Sequence, residues 1–414
     1  FQYTYALSVY SFSPSPSLAA KMPAVEATAA ILIDAEKGQI LYQKNIDKRL
    51  HISVANKIMS CLVAIESLKD NLTARVTVSK EAADVEGSAL NLEVGEKYTA
   101  EELLYAVMIT SANDATLALA EHIAGDTEKF VALMNNKAGE LNLKDTHFTN
   151  TTGLYDESQY TTAYDLALLT RYAVNTSPVF SRMFSTHVRP WTRENGENII
   201  LTSQNQLFFS YDGVDGGKTG YNQKELQSAV TTVTRGSQKL ICVVLDSPEK
   251  AVFTDSVNIL NFGFENFRKD VLLKRNTPVE TVVIEGVQVG LVSRIDVNYT
   301  HPVGESYVKK IDLNIHNPLT PPIEINKIIG TARYVLNDNT VIDVSLYPDK
   351  EVTLPVGFWG ALKNKFLQNR DILILILVLA AVEALIILYH LIRLVSSFIA
   401  KLAGKKTITE EKTD

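Results

Sequence analysis

Residues 53–68 read SVANKIMSCLVAIESL. Ile58, Leu62, Ile65 and Leu68 recur at helical spacing, which predicts one helix over the stretch. Upstream, residues 27–45 read ATAAILIDAEKGQILYQKN, two apolar runs about Glu36-Lys37-Gly38 that form a hairpin pattern. Downstream, residues 101–124 carry apolar stripes broken at Thr110-Ser111-Ala112-Asn113, so two helices meet there. Residues 164–184 again read as helical. Residues 227–246, QSAVTTVTRGSQKLICVVLD, are β-branched runs about Arg235-Gly236-Ser237, a second hairpin, and residues 253–268 read as a closing helix. Helices held between two sets of strands predict an α+β domain over residues 26–270, an antiparallel sheet with helices packed on it.

The pattern changes near Lys274. Residues 277–354 alternate apolar and polar positions, with turn signals at Gly286, Asn317-Pro318 and Asn337-Asp338-Asn339. They read as a small all-β domain, 275–355, followed by a linker, 356–370. Then residues 372–395 read ILILILVLAAVEALIILYHLIRLV. About 24 residues at about 1.5 Å each reach about 36 Å, enough to cross a bilayer, and a transmembrane helix is expected at 371–395. Glu383 and His390 lie seven apart and share a face; Arg393 stands near enough to the end to snorkel. A long buried helix and an interfacial amphipathic anchor are the competing readings. Residues 396–414 form a Lys-containing tail.

At the other end the chain begins at Phe1 and reads as a trimmed precursor. Small residues at Ser17 and Ala19 suit a secretory cleavage site, so residues 1–25 are expected to be a signal-peptide remnant or a disordered arm. Basic residues flank the C-terminal helix on both sides, so charge alone orients it weakly. A secreted body decides the matter: body on the extracytoplasmic side of the cell membrane, tail in the cytoplasm.

Composition narrows the chemistry. The chain has 414 residues, 46% hydrophobic and 21% charged, which excludes disorder as the main state and suggests two or three domains. Forty Lys and Arg against 47 Asp and Glu give a net charge of −7, without the basic excess of a nucleic-acid binder. Cys61 and Cys242 cannot build a disulfide scaffold, and no CxxC or His-rich cluster suggests a metal site. No cofactor is expected. Chemistry must come from Ser, Lys, Asp, Glu or a few His.

Three short segments carry that chemistry. Lys57 stands in the first turn of the 53–68 helix, Ser111-Ala112-Asn113 joins two helices, and Lys218-Thr219-Gly220 stands at the start of a strand. Each is weak alone; their order and flanking text make the signal specific. Together they resemble the low-molecular-weight penicillin-binding proteins, the serine D-alanyl-D-alanine carboxypeptidases. AAILIDAEKGQILYQKN, GEKYTAEELLYAVMITSANDATLALAE, TTGLYDESQYTTAYDLALL, GVDGGKTGY, ILNFGF and PIEINKIIGTARYV all look like stretches of that family. The resemblance implies a DD-peptidase/β-lactamase-like domain with a helical subdomain and an all-β domain behind it. It also implies a Ser-x-x-Lys nucleophile and base at a helix N-terminus, Ser-x-Asn, and Lys-Thr-Gly. By that likeness Lys57 is the base, Ser111 and Asn113 relay protons and hold the substrate amide, and Lys218, Thr219 and Gly220 bind the carboxylate side of a peptidoglycan stem peptide or a β-lactam. A helix N-terminus and a strand N–H would stabilise the oxyanion.

The nucleophile position departs from the pattern. Three residues before Lys57 stands Val54, which cannot form an acyl-enzyme. Ser53 lies about 100° further around the helix and is the candidate substitute. Ser60, where the family usually has Thr, reads as structural. Glu225 and Leu226 stand where the family usually has a small pair, and Val252 where it commonly has Arg. Cys61, one turn from Lys57, reads as core, as does Cys242. Three readings follow: a membrane-anchored pseudoenzyme that binds stem peptides or a membrane or cell-wall partner; an active carboxypeptidase using Ser53 or a rearranged site; and a non-catalytic scaffold acting through the β-domain.

Overall fold

A computed structural model of the chain describes residues 14–69, 71–222, 226–248, 250–304, 308–316, 318–337, 339–353 and 370–406. The main sheet has five antiparallel strands, β1 (Ala29–Asp34), β2 (Ile40–Lys44), β3 (Val214–Tyr221), β4 (Gln227–Arg235) and β5 (Gln238–Ser247), in the order β2-β1-β5-β4-β3. The two hairpins read from the sequence thus lie side by side, with Ile31 opposite Val243 and Leu32 opposite Cys242. Alternation sorts their side chains. Ile31, Ile33, Ile241, Val243 and Leu245 enter one buried cluster; Ala30, Leu32, Leu240, Cys242 and Val244 enter another on the opposite face. Both faces are covered, which is why these strands read as continuous apolar runs.

Helix α1 (Ser53–Leu68) lies in the first cluster and is buried from Val54 to Ile65 on every side. Beside it stand α2 (Ala100–Thr110), α3 (Asn113–Ala124), α4 (Thr127–Glu140), α5 (Ala163–Thr176) and α6 (Pro178–Ser185). The helical run expected over 164–184 is two helices, because Ser177 caps the second and Pro178 opens it. A capping box starts α2: Glu102 N–H donates to Thr99 Oγ1 and Thr99 N–H donates to Glu102 Oε2, at 3.2 and 2.7 Å. Helix α7 (Ala251–Asn266) covers the second face with Val252, Ile259 and Leu260.

Beyond α7, β6 (Phe267–Leu273) pairs with β9 (Val297–Pro302). The second sheet contains β7 (Pro278–Ile284), β8 (Val287–Val292), β10 (Val308–Ile315), β11 (Gly330–Leu336) and β12 (Val341–Pro348), in the order β7-β8-β12-β11-β10. Pairing with this region therefore begins at Phe267, ahead of the boundary read near 275, because the polar face of FRKDVLL masks its strand alternation in the sequence. By compactness the chain divides into two units, one of residues 1–282, 290–317 and 326–349, the other of 283–289, 318–325 and 350–414. The second unit holds the Ile323–Val352 bridge and α8 (Arg370–Lys406). Within α8, Ile374–Ala400 is long and apolar enough to cross a membrane, with a mean hydropathy of 2.6.

Residues 14–25 are the described part of the segment read as a leader remnant or disordered arm. Pro16–Ala19 forms a short helix capped by the Ser15 hydroxyl, and Leu18, 5% exposed, joins the second buried cluster near Met22 and Val25. Residues 1–13, most of the linker at 356–370, Glu225, Asn317 and Asp338 lie outside the described residues, as do the last residues of the tail.

Candidate functional site

The N-terminal end of α1, the α2–α3 junction and strand β3 converge on a cavity of about 200 Å³. Its walls include Ser53, Val54, Lys57, Ser111, Asn113, Thr219 and Gly220. The three segments singled out in the sequence therefore meet in space. Two placements differ from expectation. Lys57 stands a full turn inside the helix rather than in its first turn, and Lys218-Thr219-Gly220 occupies the later half of β3 rather than its start.

Each segment has a physical reason for its position. Helix α2 stops at Ser111, which takes a left-handed conformation, φ 62°, and α3 starts two residues later at Asn113. A left-handed serine is uncommon, and it turns the hydroxyl toward β3. Lys218 Nζ donates to Ser111 Oγ. The Asn113 side chain is fixed at both ends: its Nδ2 donates to Glu86 O at 2.7 Å and its Oδ1 accepts from Lys57 Nζ at 2.5 Å. Gly220 is needed where β3 passes α1. A Cβ there would stand 2.7 Å from Ser53 Oγ and 3.0 Å from Val54 Cγ2.

Lys57 is 3% exposed and donates a second hydrogen bond to Thr152 O, at 2.5 Å. Burial, with the Lys218 charge as a second cause, lowers its ammonium to about 7; burial also lowers Lys218 to about 8. An amine so placed is a competent proton acceptor near neutral pH. Val54, 1% exposed, lines the cavity with a methyl group at the position that Ser-x-x-Lys gives to the nucleophile.

Ser53 also lines the cavity, but its Oγ donates to Tyr221 O at 3.3 Å. Among the described residues neither Lys57 hydrogen bond goes to Ser53. Ser60 Oγ donates to Thr151 O at 2.9 Å, and Asn56 Nδ2 to Asn150 O at 2.7 Å. With Lys57 on Thr152 O, three side chains of α1 hold three carbonyls of one loop. That loop spans Asn150 to Leu154, and its Thr152, Gly153 and Leu154 form a cavity wall that residue chemistry alone did not single out; the stretch TTGLYDE was its only trace. Gln204, Gly87 and Ser88 also line the cavity, without a sequence signal.

The remaining sequence candidates are placed elsewhere. Cys61 is 1% exposed and burial pushes its thiol up to about 12, so it is no nucleophile. Cys242 is buried in β5 and its thiol is likewise pushed up. Val252 is fully buried in the second cluster and lines no part of the cavity. Leu226 closes a turn with Asn222, each backbone N–H being held by the other residue, at 3.0 and 3.1 Å. Among the described residues no group of three or more His, Cys, Asp or Glu could hold a metal ion.

Comparison with known proteins gives this geometry a family. Residues 17–249 match the family model "D-alanyl-D-alanine carboxypeptidase", and residues 267–354 match "Penicillin-binding protein 5, C-terminal domain". The D-alanyl-D-alanine carboxypeptidase DacF of Bacillus subtilis is 33% identical over 351 residues, covering 82% of this chain and 89% of that protein. DacC of Escherichia coli is 31% identical over 354 residues, covering 80% and 86%. Among solved structures, penicillin-binding protein 5 from Haemophilus influenzae superposes with a TM-score of 0.68 at 26% identity, over 83% of this chain and all of that one. With its cleft motifs assembled in space, the chain belongs to the D-alanyl-D-alanine carboxypeptidase family of low-molecular-weight penicillin-binding proteins.

Proposed function

We propose that the chain is a membrane-anchored member of this family that has lost acyl transfer and keeps the cleft as a binding site. Its ligand is the D-alanyl end of a peptidoglycan stem peptide, or a β-lactam that resembles it, held without a covalent bond. The observation that carries this reading is Val54, buried in the cavity wall at the position that Ser-x-x-Lys gives to the nucleophile. Removing a serine nucleophile reduced turnover roughly 10⁶-fold in the subtilisin case. Lys57 has no hydroxyl to deprotonate at Val54 and serves instead to tie Asn113 to the 151–154 loop. Lys218, braced on Ser111, and Thr219 recognise the ligand carboxylate; the N-terminal end of α1 favours its negative end.

Ser53 gives the alternative, an active carboxypeptidase, one supporting observation: it lines the same cavity. Its hydroxyl donates to the Tyr221 carbonyl, and the described hydrogen bonds of Lys57 go to Asn113 and Thr152 instead. A shift of about 1 Å in a reacting group can cost about 10²-fold.

Calorimetry with a D-Ala-D-Ala-terminated pentapeptide tests the binding role. Reversible binding that Lys218→Met abolishes supports it; no heat with either peptide or β-lactam sinks it. In the same reading the body is extracytoplasmic and α8 crosses the membrane. Protease added to intact spheroplasts should then digest the body and spare the C-terminal tail, and a protected body would reverse the orientation.

A further inference from the structure

Two amines are buried at the cleft, Lys57 and Lys218, each 3% exposed. Among the described residues their hydrogen bonds go only to uncharged acceptors. Lys57 Nζ donates to Asn113 Oδ1 and Thr152 O, and Lys218 Nζ donates to Ser111 Oγ. The carboxylate whose field reaches Lys57 is Asp114, fully buried in the first turn of α3. Its oxygens are taken by backbone groups. Oδ2 accepts from the Leu90 and Leu92 N–H groups at 2.9 and 3.0 Å, and Oδ1 from the Ala115 N–H at 2.8 Å. Asp114 therefore fastens the chain just beyond Gly87 and Ser88, which line the cavity, and among the described residues it bonds neither lysine.

The other ionisable groups around the pair do not supply the missing charge. Cys61, one turn along α1, is a thiol pushed up to about 12 by burial. His51, just ahead of α1, is held below its ordinary 6.5 by burial. Glu86 meets Asn113 through its carbonyl and is exposed, as is Tyr221 on β3. On α4, Lys137 is paired with Glu66 at 2.7 Å, toward the far end of α1. A charge stripped of water with nothing opposite it is costly, so an amine placed this way sheds its proton. An anion in the cavity reverses that cost, because it supplies the opposite charge and offsets the repulsion between the two amines. Lys57 lines the cavity itself, and Lys218 reaches it through Ser111, which also lines it. We propose that the cleft takes up the carboxylate of its ligand together with a proton, which the Lys57–Lys218 pair receives from solvent, so that binding weakens as pH rises from 7 to 9.

The proposal rests on the reading of the cleft as a binding site and adds how that site is regulated. Calorimetry of the detergent-solubilised full chain tests it, with N-acetyl-D-alanyl-D-alanine as the probe. That peptide is a carboxylate with no group titrating between pH 7 and 9. At pH 8 the heats in Tris and in HEPES should differ by the uptake of about one proton per peptide. The dissociation constant should rise roughly tenfold or more between pH 7 and 9. The same peptide ending in an amide should bring no proton. Lys57→Met should reduce the uptake to about half a proton, the share left to Lys218. Should that variant not fold, the buffer comparison and the pH series on the native chain decide the matter. Equal heats in the two buffers from a chain that binds would overturn the proposal and leave the binding site standing, as would an uptake that Lys57→Met does not change. No heat in either buffer would instead overturn the binding site, and the proposal with it.

Discussion

Lys57→Met should flatten the pH dependence of the body's stability. The Lys57 ammonium titrates near 7 in the folded chain against an ordinary value of 10.5. Between those values the unfolded chain holds a proton that the native chain does not. Stability must therefore rise with pH above 7 and is lowest below it, where both states are charged. From pH 7 to pH 9 this one group is worth about 2 kcal/mol. The window closes at pH 9, because Cys61, raised from 9.0 to about 12, pulls the other way once the unfolded thiol ionises. Tyr42 and Tyr98, raised from 10.0 to about 12, do so higher still. Lys218, lowered to about 8, acts in the same direction as Lys57 but is present in both proteins, so the difference between the two slopes isolates Lys57. The substitution also strands Asn113 Oδ1 and Thr152 O, lowering the whole curve by roughly 1–3 kcal/mol for each acceptor. In thermal unfolding of the detergent-solubilised chain, the native body transition should gain about 5 °C between pH 7 and 9 relative to the variant. Parallel curves for the two proteins would refute a neutralised, buried Lys57.

Two further predictions come from the backbone. Gly220→Ala puts a methyl group against Ser53 Oγ and Val54 Cγ2, at 2.7 and 3.0 Å, so β3 must move off α1. It should destabilise the body by about 1–3 kcal/mol and weaken ligand binding, as read by thermal unfolding and calorimetry; unchanged values would mean the strand has room to give. A fragment of residues 267–354 should give a dispersed β-type NMR spectrum, whereas one starting at 277 lacks the partner of Val297–Pro302 and should disperse less. Equal spectra would return the boundary to the position read from the sequence.

The cleft was legible in the sequence where helical geometry fixes spacing. Lys57 and Val54 stand three apart on α1, so the valine at the position that Ser-x-x-Lys gives to the nucleophile was readable before any coordinates. The join at Ser111 was visible because apolar stripes broke there. The sheet was legible because burial on both faces left uninterrupted runs such as KLICVVL. Other parts needed packing information. The wall at Thr152 to Leu154 is positioned through the carbonyls of Asn150, Thr151 and Thr152, which α1 side chains hold, and carbonyls carry no sequence mark. The burial of Leu18 left no sequence mark because it depends on a cluster formed by residues more than 200 positions away, such as Phe262 and Phe267. Strand β6 escaped because five of its seven residues are at least partly exposed and three of those five, Arg268, Lys269 and Asp270, are charged. Gly220 could be named from Lys-Thr-Gly, but only the approach of β3 to Ser53 and Val54 shows why nothing larger fits.

Penicillin labelling of position 54 tests the central claim most directly. The full chain, its Ser53→Ala variant and its Val54→Ser variant would each be incubated with a fluorescent penicillin and examined for a covalent band under denaturing conditions. The native chain and Ser53→Ala should stay unlabelled, because acylation needs a hydroxyl beside Lys57 and Val54 supplies none. Val54→Ser restores Ser-x-x-Lys next to an amine near 7 and should acquire slow labelling, lost again when Lys57 is also replaced by Met. A native chain that labels, and stops labelling on Ser53→Ala, would contradict the account and make Ser53 the nucleophile.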